Sequence, residues 1–243
     1  MIKAVTFDLY GTLAGFNPSR YEIQSVACAD FGVELTPEGV LAGYALADAY
    51  MAEQNSIRPL RQLDCVGRDR FFAEYERRVL EGAGVEVTNE TAFKIWRRVR
   101  KVPYSLARFD DAIPVMAALK SRRLILGLIS NMNRTGEELA GSLGLASHLD
   151  FAVTSMDTGI EKPHPAIFHA ALTKASVEPH EMVHVGDQII SDVEGARRVG
   201  IPPVLLDRDG NHRDIEDCPR IESLAELPVV LTQLWSLSSM KEE

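Results

Sequence analysis

The sequence predicts an α/β fold, a parallel sheet covered by helices with a helical segment inserted near its start. Three observations carry that expectation. Short apolar runs recur along the chain, and each ends at a polar residue. From residue 111 onward these runs alternate with helical patterns. From about Ser19 to Lys101 the apolar residues recur three and four apart instead.

The first run, Ile2 to Asp8, carries Val5 and Phe7 and is broken by Gly11, as expected of a short buried strand followed by a turn. Four later runs repeat this grammar: Leu124 to Ile129, Phe151 to Thr154, Met182 to Val185 and Pro203 to Leu206. Helical patterns lie between them. Asp111 to Ser121 places Ile113, Val115, Met116 and Leu119 together. Thr135 to Leu143 opens with the capping-box pair Thr135 and Glu138, Pro165 to Ala175 opens with proline, and Ser191 to Val199 repeats the box with Ser191 and Glu194. Alternating strand and helix argue for parallel pairing with helices on both faces.

The inserted segment shows helical spacing, as in Phe71, Phe72, Tyr75 and Val79, and helix stops at Gly82 and Gly84. Its borders, Gly15 to Pro18 and Pro103 to Phe109, read as hinges. The expected division is therefore a core of residues 1–15 and 105–235, a helical insert of 16–104, and a frayed end at 236–243.

A chain of 243 residues with 46% hydrophobic content can build a sizeable core without staples. The three cysteines, Cys28, Cys65 and Cys218, are far apart and form no CxxC pattern, so neither a disulfide framework nor a zinc cluster is expected. No apolar stretch approaches the ~18 residues of a membrane span, and the opening MIKAVTFDLYGTL reads as strand and turn rather than as a leader. A cytoplasmic protein without membrane association is the expectation. The net charge of −9 argues against nucleic acid as a partner. The basic groups Arg58 with Arg61, Arg77 with Arg78, and Arg97, Arg98, Arg100 and Lys101 read as solvated faces.

In an open parallel sheet, ligands sit outside the carboxyl ends of the strands, so the residues after each apolar run carry the functional signal. The first run ends in Asp8, Leu9, Tyr10, Gly11 and Thr12, the second in Ser130 and Asn131. The third leads through a loop to Lys162, and the fourth ends in Gly186 and Asp187, with Asp192 beyond. Asp8 and Asp187 on one rim would repel unless a cation lay between them, and such hard oxygen ligands suit Mg²⁺. Lys162 could neutralise a carboxylate or a substrate anion. Ser130 and backbone donors around Leu9 to Gly11 could bind transferring oxygens.

Asp8-Leu-Tyr-Gly-Thr12-Leu, Ser130-Asn131, Lys162-Pro163 and Gly186-Asp187-Gln-Ile-Ile-Ser-Asp192, with Gly195-Ala196, resemble the four ordered motifs of the haloacid dehalogenase-like hydrolase superfamily. The resemblance implies a Rossmann-like parallel sheet core and makes the insert an α-helical cap domain. It further implies that Asp8 is the covalent nucleophile and that Lys162 stabilises it and the transferred group. Thr12 and Ser130 would position the substrate anion, with Tyr10, Gly11 and Asn131 as further substrate contacts. Asp8, Asp187, Asp192 and the Tyr10 carbonyl would hold or support Mg²⁺. The expected activity is phosphate release from a small phosphorylated metabolite through an aspartyl phosphate.

Tyr10 departs from the phosphatase pattern, which carries a second aspartate two residues after the nucleophile. Tyrosine there resembles the 2-haloacid dehalogenases, and a phenol with its ordinary pKa near ~10 is a poor general base at neutral pH. Asp187 after glycine nevertheless matches the metal-ligating phosphatase form. The early insert around Tyr44 to Tyr50 offers no arginine of the kind dehalogenases use to hold a carboxylate, and Arg58 and Arg61 lie later. Dehalogenation through an aspartyl ester is therefore the alternative, followed by a small-ligand binding protein of weak or no activity.

The six histidines form no ligand pattern, and His184, inside the fourth run, reads as a structural hydrogen-bonding side chain. Glu161 is a possible partner of Lys162. Phe16, Tyr21 and Tyr50 read as helix-core aromatics.

Overall fold

The computed structural model describes the backbone of residues 1–239 and the side chains of residues 1–234. The chain divides into two compact units, one of Met1–Gly15 with Arg108–Glu243 and one of Phe16–Ala107. In chain order the elements begin with β1 (Ala4–Phe7) and β2 (Ala14–Asn17). Four helices follow, α1 (Arg20–Ala29), α2 (Pro37–Ile57), α3 (Cys65–Gly82) and α4 (Asn89–Val99), and then β3 (Ser105–Arg108). The chain continues through α5 (Ala112–Ser121), β4 (Ile125–Ser130), α6 (Gly136–Ser142), β5 (Phe151–Thr154), α7 (Ser155–Thr158) and α8 (Pro165–Ala175). It ends with β6 (Met182–Gly186), a π-helical turn (Ile189–Glu194), α9 (Gly195–Arg197), β7 (Pro203–Leu206), β8 (Arg220–Ile221) and α10 (Leu227–Ser239). The end expected to fray, 236–243, lies outside the described side chains, and its last four residues lie outside the described backbone.

The core unit is a Rossmann-like sheet of six strands in the order β5-β4-β1-β6-β7-β8. Its strand pairs are all parallel. Every residue of β1, β6 and β7 is buried, as expected of parallel strands covered on both faces, which is why these segments read as continuous apolar runs. Phe168, Ile167, Ala171 and Leu172 from α8 pack with Ile129 and Val153 of the sheet. β1 lies between β4 and β6, with Phe7 level with Leu128 on one side and Val185 on the other. That register sets Asp8, Ser130 and Gly186 at neighbouring strand ends.

Local chemistry explains most boundaries. Thr135 caps α6 with the reciprocal Glu138 bond that the spacing predicted, and Pro165 opens α8. The second expected box does not form. Ser191 and Glu194 lie within the π-helical turn, where Ser191 is buried, because the segment widens so that the Asp192 side chain reaches inward. The Val193 N–H bonds the Gln188 carbonyl at 3.2 Å, five residues back.

The cap unit contains the helices α1 to α4 and, at its borders, residues 16–17 of β2 and 105–107 of β3, two strands that pair as a separate sheet. Gly43 and Gly82 let α2 and α3 approach closely: a Cβ on Gly43 would stand 1.9 Å from the Val79 carbonyl oxygen. Val40, Tyr44, Ala47 and Val79 form one apolar cluster, and Cys28, Leu80 and Ile95 another. Tyr50 stacks on the buried Phe71, and Tyr21 packs against the first cluster. Arg77 and Arg78, expected to form a solvated face, pair locally with Glu74, and Arg77 also with Glu81. Buried in the same unit, the Gln24 amide donates to Glu76 at 3.0 Å.

Candidate functional site

The site forms where three adjacent strands end. Asp8 follows β1, Ser130 ends β4, and Asp187 follows β6. Asp8 is anchored by its own N–H, which donates to the Val185 carbonyl of β6 at 2.8 Å. The next residues turn tightly: the N–H groups of Leu13 and Ala14 both reach the Leu9 carbonyl at 2.8 Å, and Tyr10 bridges to Ala14. Gly11 sits at φ +85°, in the left-handed region that favours glycine. Its N–H donates to the Ala14 carbonyl at 2.9 Å and closes the turn.

Lys162 joins the acidic groups. Its buried ammonium lies 2.5 Å from Asp8 Oδ1 and 2.6 Å from Asp192 Oδ1. Asn131 holds the lysine from behind: its Oδ1 accepts the Lys162 N–H at 2.6 Å and its Nδ2 donates to the Lys162 carbonyl at 2.9 Å. Both polar atoms of Asn131 are thus engaged on the lysine backbone, a positioning part that its reading as a substrate contact did not include. The ammonium pairs with Asp8 and Asp192. Thr12 Oγ1 donates weakly to Asp187 Oδ1 at 3.5 Å.

Burial and charge act on these groups in opposite directions. Burial pushes Asp8 up to about 6 against the pull of Lys162, and the neighbouring Asp192 adds to the rise. Asp192 is just as buried, yet Lys162 and a hydrogen bond from His184 overcome desolvation and hold it well below the usual carboxylate range. Desolvation would lower Lys162, but Asp192 and Asp8 keep its ammonium charged.

Asp8, Asp187 and Asp192 each offer an oxygen, and these oxygens lie within 4.8 Å of one another. An all-oxygen donor set of this kind suits a hard divalent cation. The residues therefore fit such an ion. Asp192 enters the set already bound: Oδ1 accepts from Lys162 and His184, and Oδ2 accepts the Gln188 N–H at 3.0 Å.

Thr6, His184 and Arg208 were not singled out as site residues. His184 fits its reading as a hydrogen-bonding strand residue and lies directly behind Asp192. Arg208 donates to the Thr12 carbonyl at 2.9 Å and grips Asp111 with two bonds of 2.9 and 2.8 Å. It immediately follows Asp207 at the end of β7, so the strand-end rule extended by one strand could have found it.

A parallel sheet that gathers carboxylates and a buried lysine at neighbouring strand ends, with a helical cap inserted after its first strand, defines a hydrolase. The chain belongs to the haloacid dehalogenase-like hydrolase family, whose model matches residues 2–200. Haloacid dehalogenase-like hydrolase domain-containing protein 3 of Homo sapiens is 29% identical over 208 residues, 84% of this chain and 82% of that protein. Glyceraldehyde 3-phosphate phosphatase of Methanopyrus kandleri is 30% identical over 223 residues, 89% of this chain and 88% of that protein. Among solved structures, 2-haloacid dehalogenase from Pseudomonas syringae pv. Tomato DC3000 matches with a TM-score of 0.55 and 27% identity, over 96% of this chain and 99% of that one. The acidic cluster favours phosphatase over dehalogenase chemistry. Among the described residues, no helix is long and apolar enough to cross a membrane.

Proposed function

We propose that the protein is a Mg²⁺-dependent phosphatase that hydrolyses a small phosphorylated metabolite through an aspartyl phosphate on Asp8. The observation that carries this reading is the grouping of Asp8, Asp187 and Asp192, with a buried lysine paired to Asp8 and Asp192. The phosphatase relatives support the same reading.

Asp8 attacks phosphorus as a carboxylate; the new O–P bond forms as the bond to the leaving oxygen breaks. Lys162 keeps Asp8 ionised and oriented, and it offers positive charge to the phosphoryl oxygens as the transfer proceeds. Ser130 and Thr12, at the ends of β4 and in the turn after β1, bind and orient the phosphoryl group. Tyr10 supplies no carboxylic acid, so the leaving oxygen takes its proton from solvent. Water then attacks the phosphorus of the acyl phosphate, releasing inorganic phosphate and restoring Asp8. Asp8, Asp187 and the Tyr10 carbonyl would hold the divalent ion, with Asp192 in support, and the ion supplies Lewis-acid neutralisation of phosphoryl charge.

A cytoplasmic location belongs to the same reading and is supported by three free cysteines. The partner is a small anionic substrate. A second reading, dehalogenation of a 2-haloacid, is favoured by Tyr10 and by the likeness to the Pseudomonas dehalogenase. Peptide mass analysis after acid quench during turnover separates the two. Phosphatase chemistry leaves a phosphoryl group on the peptide containing Asp8; its absence, with an organic-acid ester on Asp8 instead, overturns the proposal.

A further inference from the structure

Behind the catalytic rim a second line of polar groups runs into the sheet. His184 is completely buried in β6, and Thr6 is completely buried beside it in β1. His184 Nε2 lies 3.1 Å from Asp192 Oδ1, and Nδ1 lies 3.0 Å from Thr6 Oγ1. The Phe168 ring meets the imidazole edge-on, at 5.3 Å between centroids and 86° between planes. The ring is thus bonded at both nitrogens and packed on a face.

These contacts place hydrogen on one ring nitrogen. An ionised Asp192 can only accept, so Nε2 of His184, which faces it, carries hydrogen. Nδ1 faces the Thr6 hydroxyl, which also reaches the Val183 carbonyl at 3.4 Å.

We infer that His184, held between Thr6 and Asp192, is a positioning residue that sets Asp192 and through it directs Lys162 at Asp8. Asp192 Oδ1 receives both the imidazole N–H and the Lys162 ammonium, so the angle of its carboxylate is shared between them. Its other oxygen is tied to the Gln188 N–H. The line Thr6, His184, Asp192, Lys162, Asp8 carries a fixed orientation from the centre of the sheet to the nucleophile. No proton needs to travel along it. The functional consequence rests on the hydrolase reading above, whereas the hydrogen on Nε2 does not.

The test uses the full chain labelled with ¹⁵N in histidine, in Mg²⁺ buffer near neutral pH. The expected His184 signal shows hydrogen on Nε2. Thr6→Val preserves shape but removes the partner of Nδ1; the Nδ1 resonance should shift while Nε2, which faces Asp192, keeps its hydrogen, and kcat for phosphate release should fall by roughly 10–100-fold while KM changes little. Thr6→Ser should restore both signal and kcat, which a purely packing role for the Thr6 methyl group would not allow. Thermal unfolding of each variant identifies any loss due to misfolding, and the Thr6→Ser protein then carries the comparison. A His184 without hydrogen on Nε2 in the parent overturns the inference, as does parental kcat in folded Thr6→Val. If the parent releases no phosphate while His184 shows hydrogen on Nε2, the phosphatase reading fails and the geometric assignment stands.

Discussion

The carboxylate of Asp187 occupies the space that a side chain on Gly11 would need: a Cβ built on Gly11 would stand 2.2 Å from Asp187 Oδ2. Gly11 also sits at φ +85°. Gly11→Ala therefore meets backbone strain and a displaced acidic ligand together. We expect it to cost about 1–3 kcal/mol of stability in urea unfolding and to weaken Mg²⁺ binding measured by titration calorimetry. Parental Mg²⁺ affinity in the folded variant would show that Asp187 is not part of the ion site.

Lys162 is the sole side chain among the described residues seen to pair with both Asp8 and Asp192, so removing it leaves two buried carboxylates without their cation. Lys162→Met should destabilise the protein by about 3–5 kcal/mol. Adding Asp192→Asn should recover part of that loss, since one uncompensated charge disappears. Denaturant unfolding of both single variants and the double variant checks this coupling; strictly additive losses would contradict it.

Glu76 makes stability pH-dependent from within the cap. Burial pushes its carboxyl up from 4.5 to about 7, with only the Gln24 hydrogen bond acting the other way. A carboxyl whose folded value is raised contributes stability that is fully present below its unfolded value and is lost as pH rises through about 7. The loss should be on the order of 3 kcal/mol, levelling off above that range. Glu76→Gln cannot ionise, so the difference between parent and variant in chemical denaturation should grow as pH rises from about 5 to about 8. A difference that stays constant across that window would show that Glu76 is charged at both ends of it.

Tyr10 should make turnover depend steeply on the leaving group. Aryl and acyl phosphates, whose leaving oxygens are stable as anions, should be hydrolysed much faster than alkyl phosphates. Tyr10→Asp should raise turnover of alkyl esters by up to ~10²-fold, the scale of a positioned general acid, with a smaller effect on acyl phosphates. Equal turnover of both classes by the parent would mean that another group donates the proton.

The strand-end residues were legible because a parallel sheet buried on both faces leaves so few polar positions beside its apolar runs. Asp8, Ser130 and Asp187 stand at three such positions. The bonds between them were not legible. Lys162 reaches Asp8 and Asp192 only because Asn131 clamps its backbone and a π-helical turn swings Asp192 inward, and a helical period of 3.6 does not announce that turn. The same turn defeated the reading of Ser191 and Glu194 as a capping box. Gln24 and Glu76 lie on different helices, so their buried pairing depends on how α1 and α3 pack and not on spacing within either. Arg208 was missed because the strand-end search stopped one strand short.

The most direct test of the account follows phosphate and halide release side by side, from an acyl phosphate and from a 2-haloacid, with the parent protein and with Asp8→Asn. Each reaction is run with Mg²⁺ and with chelator. The account predicts phosphate release that requires both Mg²⁺ and Asp8, with Asp8→Asn folded and inactive. Halide release by the parent that persists in chelator, with no phosphate released under any condition, would contradict it.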